Sequence, residues 1–559
     1  MGLRSHWLVG SMDALSTTTG AATPEPTPAP LSTCPTCQRL TSELEGWRLA
    51  AYWQAQHRRS VDRELRLKDQ VHLLKAEIRQ WKQKVFGSSS EARTGPDAKV
   101  LTPPMSKRAR GQQPGKPSPA KRDYSHLPAV DEVRDLPPEL QHCHDCGQPF
   151  VAFSTTDDSE ILEIEVKAHR RVIHRRKYRP GCACPHQPAI ITAPPAPRVL
   201  PKSSLGVSLW VMILLDKYLF GRPTERLLKS LQLHGLDLSL GTITDGLQKL
   251  APLFEPLYEA MIVHSREQDF WHADETRWEV FVTVEGKVGH RWYLWVFHAP
   301  DVVVFVLSPT RAHDVPEEHF GPDSDGILVV DRYAAYKAIS QVKDGQIVLA
   351  FCWAHVRRDF VRVAQGFPEY ESWGLQWVER IGTLYQLNDA RCTALTAATA
   401  DAATRTATEH RLREHVATLA QQRDTELANA ALPVVQRKAL TSLQSHWAGL
   451  TVFVEHPEVP LDNNTAERAQ RGPVVGRKNY YGSGAEWSGR LAATLFGLFQ
   501  TLCLAELNPH KWLTGYLEAC AQAGGQAPAD AAKYLPWNLT TEQKRLYQDD
   551  AVVAGNNTS

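Results

Sequence analysis

The stretch Gly326–Asp331, reading GILVVD, constrains the fold of this chain more than any other. Its four apolar residues, Ile327 to Val330, read as a buried strand. That strand closes on a carboxylate. A lone carboxylate in apolar surroundings is costly, so Asp331 has to be paired, neutral or bound to a cation. The neighbouring segments are sheet-forming too. DFWHADETRWEVFVTV, HRWYLWVFHA and DVVVFVLSP read as three consecutive strands joined by short turns. A short helix near Pro316–Phe320 follows. GILVVD is then the fourth strand, RYAAYKAI a helix, QIVLAF a fifth strand, and CWAHVRRDFVRVA a helix. The order β-β-β-α-β-α-β-α predicts a mixed sheet with helices on both faces.

That order resembles an RNase H-like fold, in which the first and fourth strands are neighbours. Asp274, in the first strand, would then stand beside Asp331. Two adjacent acids repel unless a cation sits between them. Magnesium (or manganese) suits such a place, because it takes one or two carboxylates and keeps waters for phosphate oxygens. Glu467 follows Asn463 and Asn464 at the start of a helix and would complete a site for two metals. Each acid also has a plainer reading. Asp274 fits an edge-strand charge, with Glu275 as the relevant acid. Asp331 fits a cap for the helix at Tyr333. Glu467 fits the third residue of a capping-box-like turn begun by Asn464, or an i, i+4 partner of Arg471.

Nine segments are expected. Residues 1–33 are a Thr/Ala/Pro-rich disordered tail. Residues 34–86 are a helical segment, in which Leu67, Val71, Leu74, Ile78, Trp81 and Val85 form a short heptad seam. The seam fits a dimerising coiled coil and equally a helix packed on its own domain. Residues 87–122 are a basic Pro/Gly-rich linker, suited to lying along phosphates or simply to solvation. Residues 123–200 form a small module with the pairs Cys143/Cys146 and Cys182/Cys184. Zinc takes four sulfur or nitrogen ligands, and two cysteine pairs on loops joined by two strands, EILEIEV and RRVIHRRKYRP, suit it. Cys34 and Cys37 have no second pair nearby. Residues 201–265 are helical, with caps near Thr242 and Thr244. Residues 266–366 are the first part of the core, 367–455 an all-α insertion, 456–505 the second part, and 506–559 a helical tail.

Composition matters here through its asymmetry. The formal charge is +1. Residues 1–202 hold 30 basic and 21 acidic residues, while 203–559 hold 33 and 41. A basic N-terminal part on an acidic remainder points to a polyanion at one end. The longest apolar stretch, Leu205–Leu215, falls well short of the ~20 residues a membrane span needs. No signal peptide is evident, and ten cysteines in clusters point to metal in a reducing compartment. A cytoplasmic, nucleoid-associated protein is expected.

The chain resembles DDE-type transposases of the insertion sequence 66 family. The matching stretches are FGSSSEA, the Cys143–Cys184 module, HADETRWEV, VVDRYAAY, CWAHVRRDF, PLDNNTAERAQR, ELNPHKWLTGYLEA and LPWNL, in that order over roughly residues 40–540. The resemblance implies that Asp274, Asp331 and Glu467 are a catalytic triad binding magnesium, separated by a helical insertion. It implies an enzyme that binds double-stranded DNA at element ends, cleaves it, and joins the 3′-OH ends to target DNA. A homo-oligomer and accessory proteins encoded by the same element are further expectations. Cys352, His355 and Arg358 form a Cys-x-x-His-x-x-Arg signature, with His355 and Arg358 positioning DNA or water. Arg468, Arg471, Arg477 and Lys478 surround the Glu467 helix and suit backbone phosphate. The rival readings are a catalytically inactive DNA-binding relative, and a host nuclease on the same fold that cuts without end specificity.

Overall fold

The structure is a computed structural model. It describes residues 35–85 and 129–548, apart from 133, 142–143, 152–158, 160, 163–165, 180–189, 284–288 and 398–399. The chain divides into two compact units, residues 1–92 and 93–559. The first contains one helix of 51 residues, α1 (Pro35–Val85). Leu40, Leu44, Trp47 and Trp53 are all exposed on it. The side chains of the heptad seam from Leu67 to Val85 lie outside the described residues.

In the second unit, β1 (Lys177–Tyr178) pairs antiparallel with β2 (Ile191–Thr192). This is less sheet than expected. Ile161, Leu162 and Val166 of EILEIEV are exposed and outside any strand, and only the end of RRVIHRRKYRP pairs. Alternation makes a strand only when one face has a core to cover, and these side chains face solvent. Cys146 is exposed. Cys143, Cys182 and Cys184 lie outside the described residues.

A helical layer follows: α2 (Val207–Leu214), a π-helical turn at Leu215–Leu219, α3 (Thr224–Leu233) and α4 (Leu240–Arg266). The cap of α4 is Ser239, whose side chain accepts from the Thr242 backbone N–H at 3.1 Å, not Thr242 or Thr244 themselves. A cap residue must precede the helix, and the helix begins one turn earlier than the apolar periodicity indicates.

The sheet comprises β3 (Phe270–Glu279), β4 (Arg291–His298), β5 (Val303–Ser308), β6 (Gly326–Val330) and β7 (Ile347–Phe351), in the spatial order β5-β4-β3-β6-β7. The first three are antiparallel; β6 and β7 run parallel to β3. The first and fourth strands of the sheet are thus neighbours. Gly326 is obligatory where β6 starts: its φ is +150°, and a Cβ there would stand 2.0 Å from the Asp269 carbonyl oxygen. The connections carry α5 (Asp314–Phe320), α6 (Ala334–Ala338), α7 (Ser340–Lys343) and α8 (Trp353–Gly366). Then come the insertion helices α9 (Glu371–Thr396), α10 (Ala402–Ala428), α11 (Val434–Ser445), α12 (Trp447–Leu450) and α13 (Val452–Glu455). Fully buried Arg391 of α9 donates to the Phe453 and Val454 carbonyls at 2.8 and 3.2 Å, tying the insertion's start to its end.

The chain re-enters the sheet region with α14 (Asn464–Ala469) and α15 (Arg471–Tyr480), followed by α16 (Glu486–Leu504), α17 (Pro509–Gln522) and α18 (Thr541–Tyr547). Helices α4 and α16 cover β5, and α14 lies on β3 and β4. Trp271, Trp278, Trp295 and Trp353 are all buried among them. Trp278 fills core and donates its indole N–H to Ser483 at 3.1 Å. Among the described residues, no helix is long and apolar enough to cross a membrane.

Candidate active site

Strand β3 is paired with β6 only through His272, while its pairing with β4 continues to Glu279. From Ala273 onward one edge of β3 is open, and Asp274 lies on this segment. Side chains alternate along a strand, so Asp274 and Glu275 face opposite sides of the sheet. The Glu275 side chain is 1% exposed, in an ion pair with Arg311, and accepts from the Tyr336 hydroxyl at 2.8 Å. Burial pushes its pKa up, while the bonds to Arg311 and Tyr336 oppose that shift. Both carboxylate oxygens of Glu275 are therefore engaged, one by Arg311 and the other by Tyr336. Arg311→Ala leaves it buried without its cation and should cost about 2–3 kcal/mol, with the solvent-exposed side of the pair reducing the penalty. Thermal melting measures this. Adding Glu275→Gln to Arg311→Ala should recover most of the loss.

Asp274 behaves differently. Its carboxyl pKa is pushed up to about 8, first by burial and then by Glu275; Asp331 and Glu467 raise it further, while the Glu275 backbone N–H opposes the shift. Asp331 and Glu467 therefore both lie within electrostatic reach of Asp274. Asp331 follows the last residue of β6. Its Oδ1 accepts from the Tyr333 N–H at 2.8 Å, so the capping reading holds for one oxygen. The other takes no hydrogen bond among the described residues. Glu467 lies on α14, with its backbone N–H donating to the Asn463 carbonyl at 3.2 Å. Among the described residues its side chain makes neither a capping-box bond nor an ion pair with Arg471.

One residue ties these segments together. Asn463 is 2% exposed. Its amide Nδ2 donates to the Ala273 carbonyl at 2.7 Å, where the β6 pairing has stopped. Its Oδ1 is 2.9 Å from His272 Nδ1. Because the amide nitrogen is already donating, Oδ1 is the acceptor and His272 carries its proton on Nδ1. Burial lowers the His272 pKa to about 4, so the ring is neutral. The Asn463 backbone N–H donates to Cys352 Sγ at 3.3 Å, and the Cys352 N–H donates to the Val330 carbonyl at 3.0 Å. The network thus reaches residues adjacent to Asp274 and Asp331 and begins the turn of Glu467. Cys352 is 1% exposed and serves as a packing and hydrogen-bonding group. Sequence reasoning treated Asn463 only as a neighbour of Glu467. The available signal was an Asn at a helix start, between apolar Leu461 and a helix bearing an acid.

His355, in the first turn of α8, has its Nδ1 buried without a partner. Burial lowers its pKa, as does Arg358, while Asp331 and Glu467 raise it. It therefore lies within the field of both acids as a neutral ring. Arg358, Arg468, Arg471 and Lys478 are exposed. Arg477 instead bonds inward, to Thr276 Oγ1 at 3.2 Å and to the Arg277 carbonyl. Arg332, beside Asp331, donates to Ser442 at 2.8 Å and to the His355 carbonyl at 3.2 Å, and pairs with Asp359. It fastens the end of β6 to α8 and to the insertion.

The donor set suits a hard cation: oxygen ligands only, one of them a buried carboxyl whose proton a cation would displace. Among the described residues, no three His, Cys, Asp or Glu side chains converge tightly enough to enclose an ion.

The chain is similar to "Uncharacterized protein y4jD" of Sinorhizobium fredii (strain NBRC 101917 / NGR234), with 28% identity over 433 residues, 75% of this chain and 81% of the relative. "Uncharacterized protein y4qI" of the same strain is 27% identical over 450 residues, 77% of this chain and 80% of the relative. The family model described as Transposase IS66 family matches residues 202–491, which include all three acids and more than half of the 559 residues. The chain belongs to the IS66 family of transposases.

Proposed function

We propose that this transposase is a DDE-type enzyme with an RNase H-like core, using Asp274, Asp331 and Glu467 on double-stranded DNA. The observation that carries the reading is the convergence of three separate segments. Asp274 is on β3, Asp331 ends the adjacent β6, Glu467 is on the helix packed against β3 and β4, and the last two raise the Asp274 pKa. The strand order supports the RNase H-like assignment. Magnesium or manganese held by these carboxylates would supply Lewis-acid stabilisation of the phosphate oxygens.

The chain's own groups have distinct parts. The carboxylates hold the site's negative charge at one end of the sheet. Neutral His355, with a free buried nitrogen, orients water or a DNA oxygen by hydrogen bonding. Exposed Arg358, Arg468 and Lys478 bind backbone phosphates. Water attacks phosphorus, the P–O3′ bond to one strand breaks, and a 3′-OH is released. The same 3′-OH then attacks a target phosphodiester, forming a new P–O bond as the target strand's P–O3′ bond breaks and its 3′-OH leaves, with no covalent protein–DNA intermediate. The basic N-terminal part, with exposed Arg170, Arg171, Arg175 and Arg176, binds the element ends. Zinc at Cys143, Cys146, Cys182 and Cys184 is proposed from their spacing, as are self-association, accessory proteins and a cytoplasmic, nucleoid-associated location.

Asp331→Asn should abolish magnesium-dependent nicking and strand transfer on element-end DNA, while leaving end binding within about twofold of wild type. Gel assays of cleavage and binding read both. Normal cleavage by that variant would refute the assignment.

A further inference from the structure

Helix α14 passes into α15 through Gln470, which keeps right-handed helical angles (φ −73°, ψ −15°). Along α15, Arg471, Val475, Lys478 and Tyr481 are spaced four, three and three residues apart, so they share one face. All four are exposed, Tyr481 by 74%. The stripe begins four residues beyond Glu467. The inward residues of the same helix hold it in place: Arg477 bonds to β3, and Tyr480 packs edge-on to Trp278 at 6.4 Å.

Tyr481 ends the helix in a left-handed conformation, with φ +66° and its N–H donating to the Arg477 carbonyl at 2.7 Å. Glycine is the residue suited to this position, because a Cβ is penalised there. A glycine does stand next door, but it is committed elsewhere. Gly482 has φ +148°, and a Cβ on it would lie 2.2 Å from the Glu279 carbonyl oxygen. Ser483 N–H then donates to that carbonyl at 2.9 Å. The backbone of Tyr481 is thus fixed by its neighbours, and its ring gains almost no burial to offset the strain. Strain retained at an exposed aromatic is a signature of function.

We propose that Tyr481 stacks on an unpaired DNA base, on a strand whose phosphates run along Arg471 and Lys478 away from the acids. The proposal rests on the reading that this chain processes DNA. The basic stripe supplies charge complementarity to phosphates, and an aromatic face tolerates any base. A double helix offers no free base face to an exposed ring, so the occupant is single-stranded at this point.

The test compares a blunt duplex with the same duplex ending in a short single-stranded extension that carries 2-aminopurine. Binding to the full chain is measured without divalent metal, so that no cleavage occurs. Wild type should bind the extended duplex roughly fivefold or more tighter and quench the 2-aminopurine. Tyr481→Gly should lose the preference and the quenching, keep blunt-duplex binding, and melt a few degrees higher because glycine relieves the backbone. Tyr481→Asn, which also tolerates the left-handed region, should bind as the glycine variant does; Tyr481→Trp should keep the preference. Retention of the preference by both the glycine and asparagine variants overturns the proposal. Equal wild-type binding to both duplexes also overturns it and leaves the DNA-processing reading intact, whereas binding to neither overturns both.

Discussion

Replacing Asp274 with Asn should stabilise the metal-free protein at alkaline pH while removing its activity. The folded carboxyl holds its proton up to about pH 8, whereas the ordinary value for Asp is 3.8. Between those values the folded state binds more protons than the unfolded state, so stability falls as pH rises. The contribution is fully present below pH 3.8 and is lost as pH passes through about 8. At ~1.4 kcal/mol per unit, the difference between the two ends is on the order of 4–6 kcal/mol. Asn carries no charge and lacks this dependence. The melting temperature of the variant should therefore exceed that of wild type by an amount that grows from pH 5 to pH 9. Magnesium should shrink the gap, because it favours the charged carboxylate of wild type. Cleavage should fall by about 10³-fold or more, corresponding to roughly 4 kcal/mol of lost transition-state stabilisation. Parallel melting curves for the two proteins across that pH range would remove the electrostatic account of the site.

Asn463→Ala should be nearly as severe, although Asn463 is only 2% exposed. It strips the Ala273 carbonyl and the His272 Nδ1–H of their buried partner. Each buried group left unsatisfied costs about 1–3 kcal/mol. The variant should lose ~2–4 kcal/mol in urea denaturation. Its Glu467 helix is also released from β3, and a displacement of ~1 Å at a reacting centre costs on the order of 10²-fold in rate. His272→Asn keeps a neutral donor near Nδ1 and should retain most activity, whereas His272→Phe removes the donor and should not. The pattern to look for is a fall in turnover with DNA affinity unchanged. Equal losses for both His272 variants would point to general destabilisation instead.

The sheet was legible in the sequence because its strands are long, apolar and closely spaced, and because Asp331 ends a run with no polar interruption. The helical insertion was legible from the Ala- and Leu-rich, helix-forming composition of residues 367–455. Which of the two neighbouring acids on β3 is held by structural partners was not. HADETRW places Asp274 and Glu275 side by side, and only the positions of Arg311 and Tyr336, 36 and 61 residues beyond Glu275, assign one of them to structure. Asn463 was hidden for the same reason: its partners lie 190 and 111 residues earlier. A buried amide that bridges distant segments leaves no periodic trace. In the small cysteine module, Ile161, Leu162 and Val166 of EILEIEV are exposed and outside any strand, so alternation alone was not enough to place a strand there.

The insertion also dictates when a growing chain acquires its chemistry. Residues through β7 are made, and the five strands are able to pair, before any of α9 to α13 exists. Glu467 emerges 136 residues after Asp331. At ~5–20 residues per second of synthesis, that is a delay of several seconds or more. Throughout it the ribosome-bound chain holds its first two acids, and its whole basic N-terminal part, without the third acid or the amide that fastens it. If the proposed function holds, a nascent chain, or one truncated within the insertion, would be equipped to hold DNA before it is equipped to cut it.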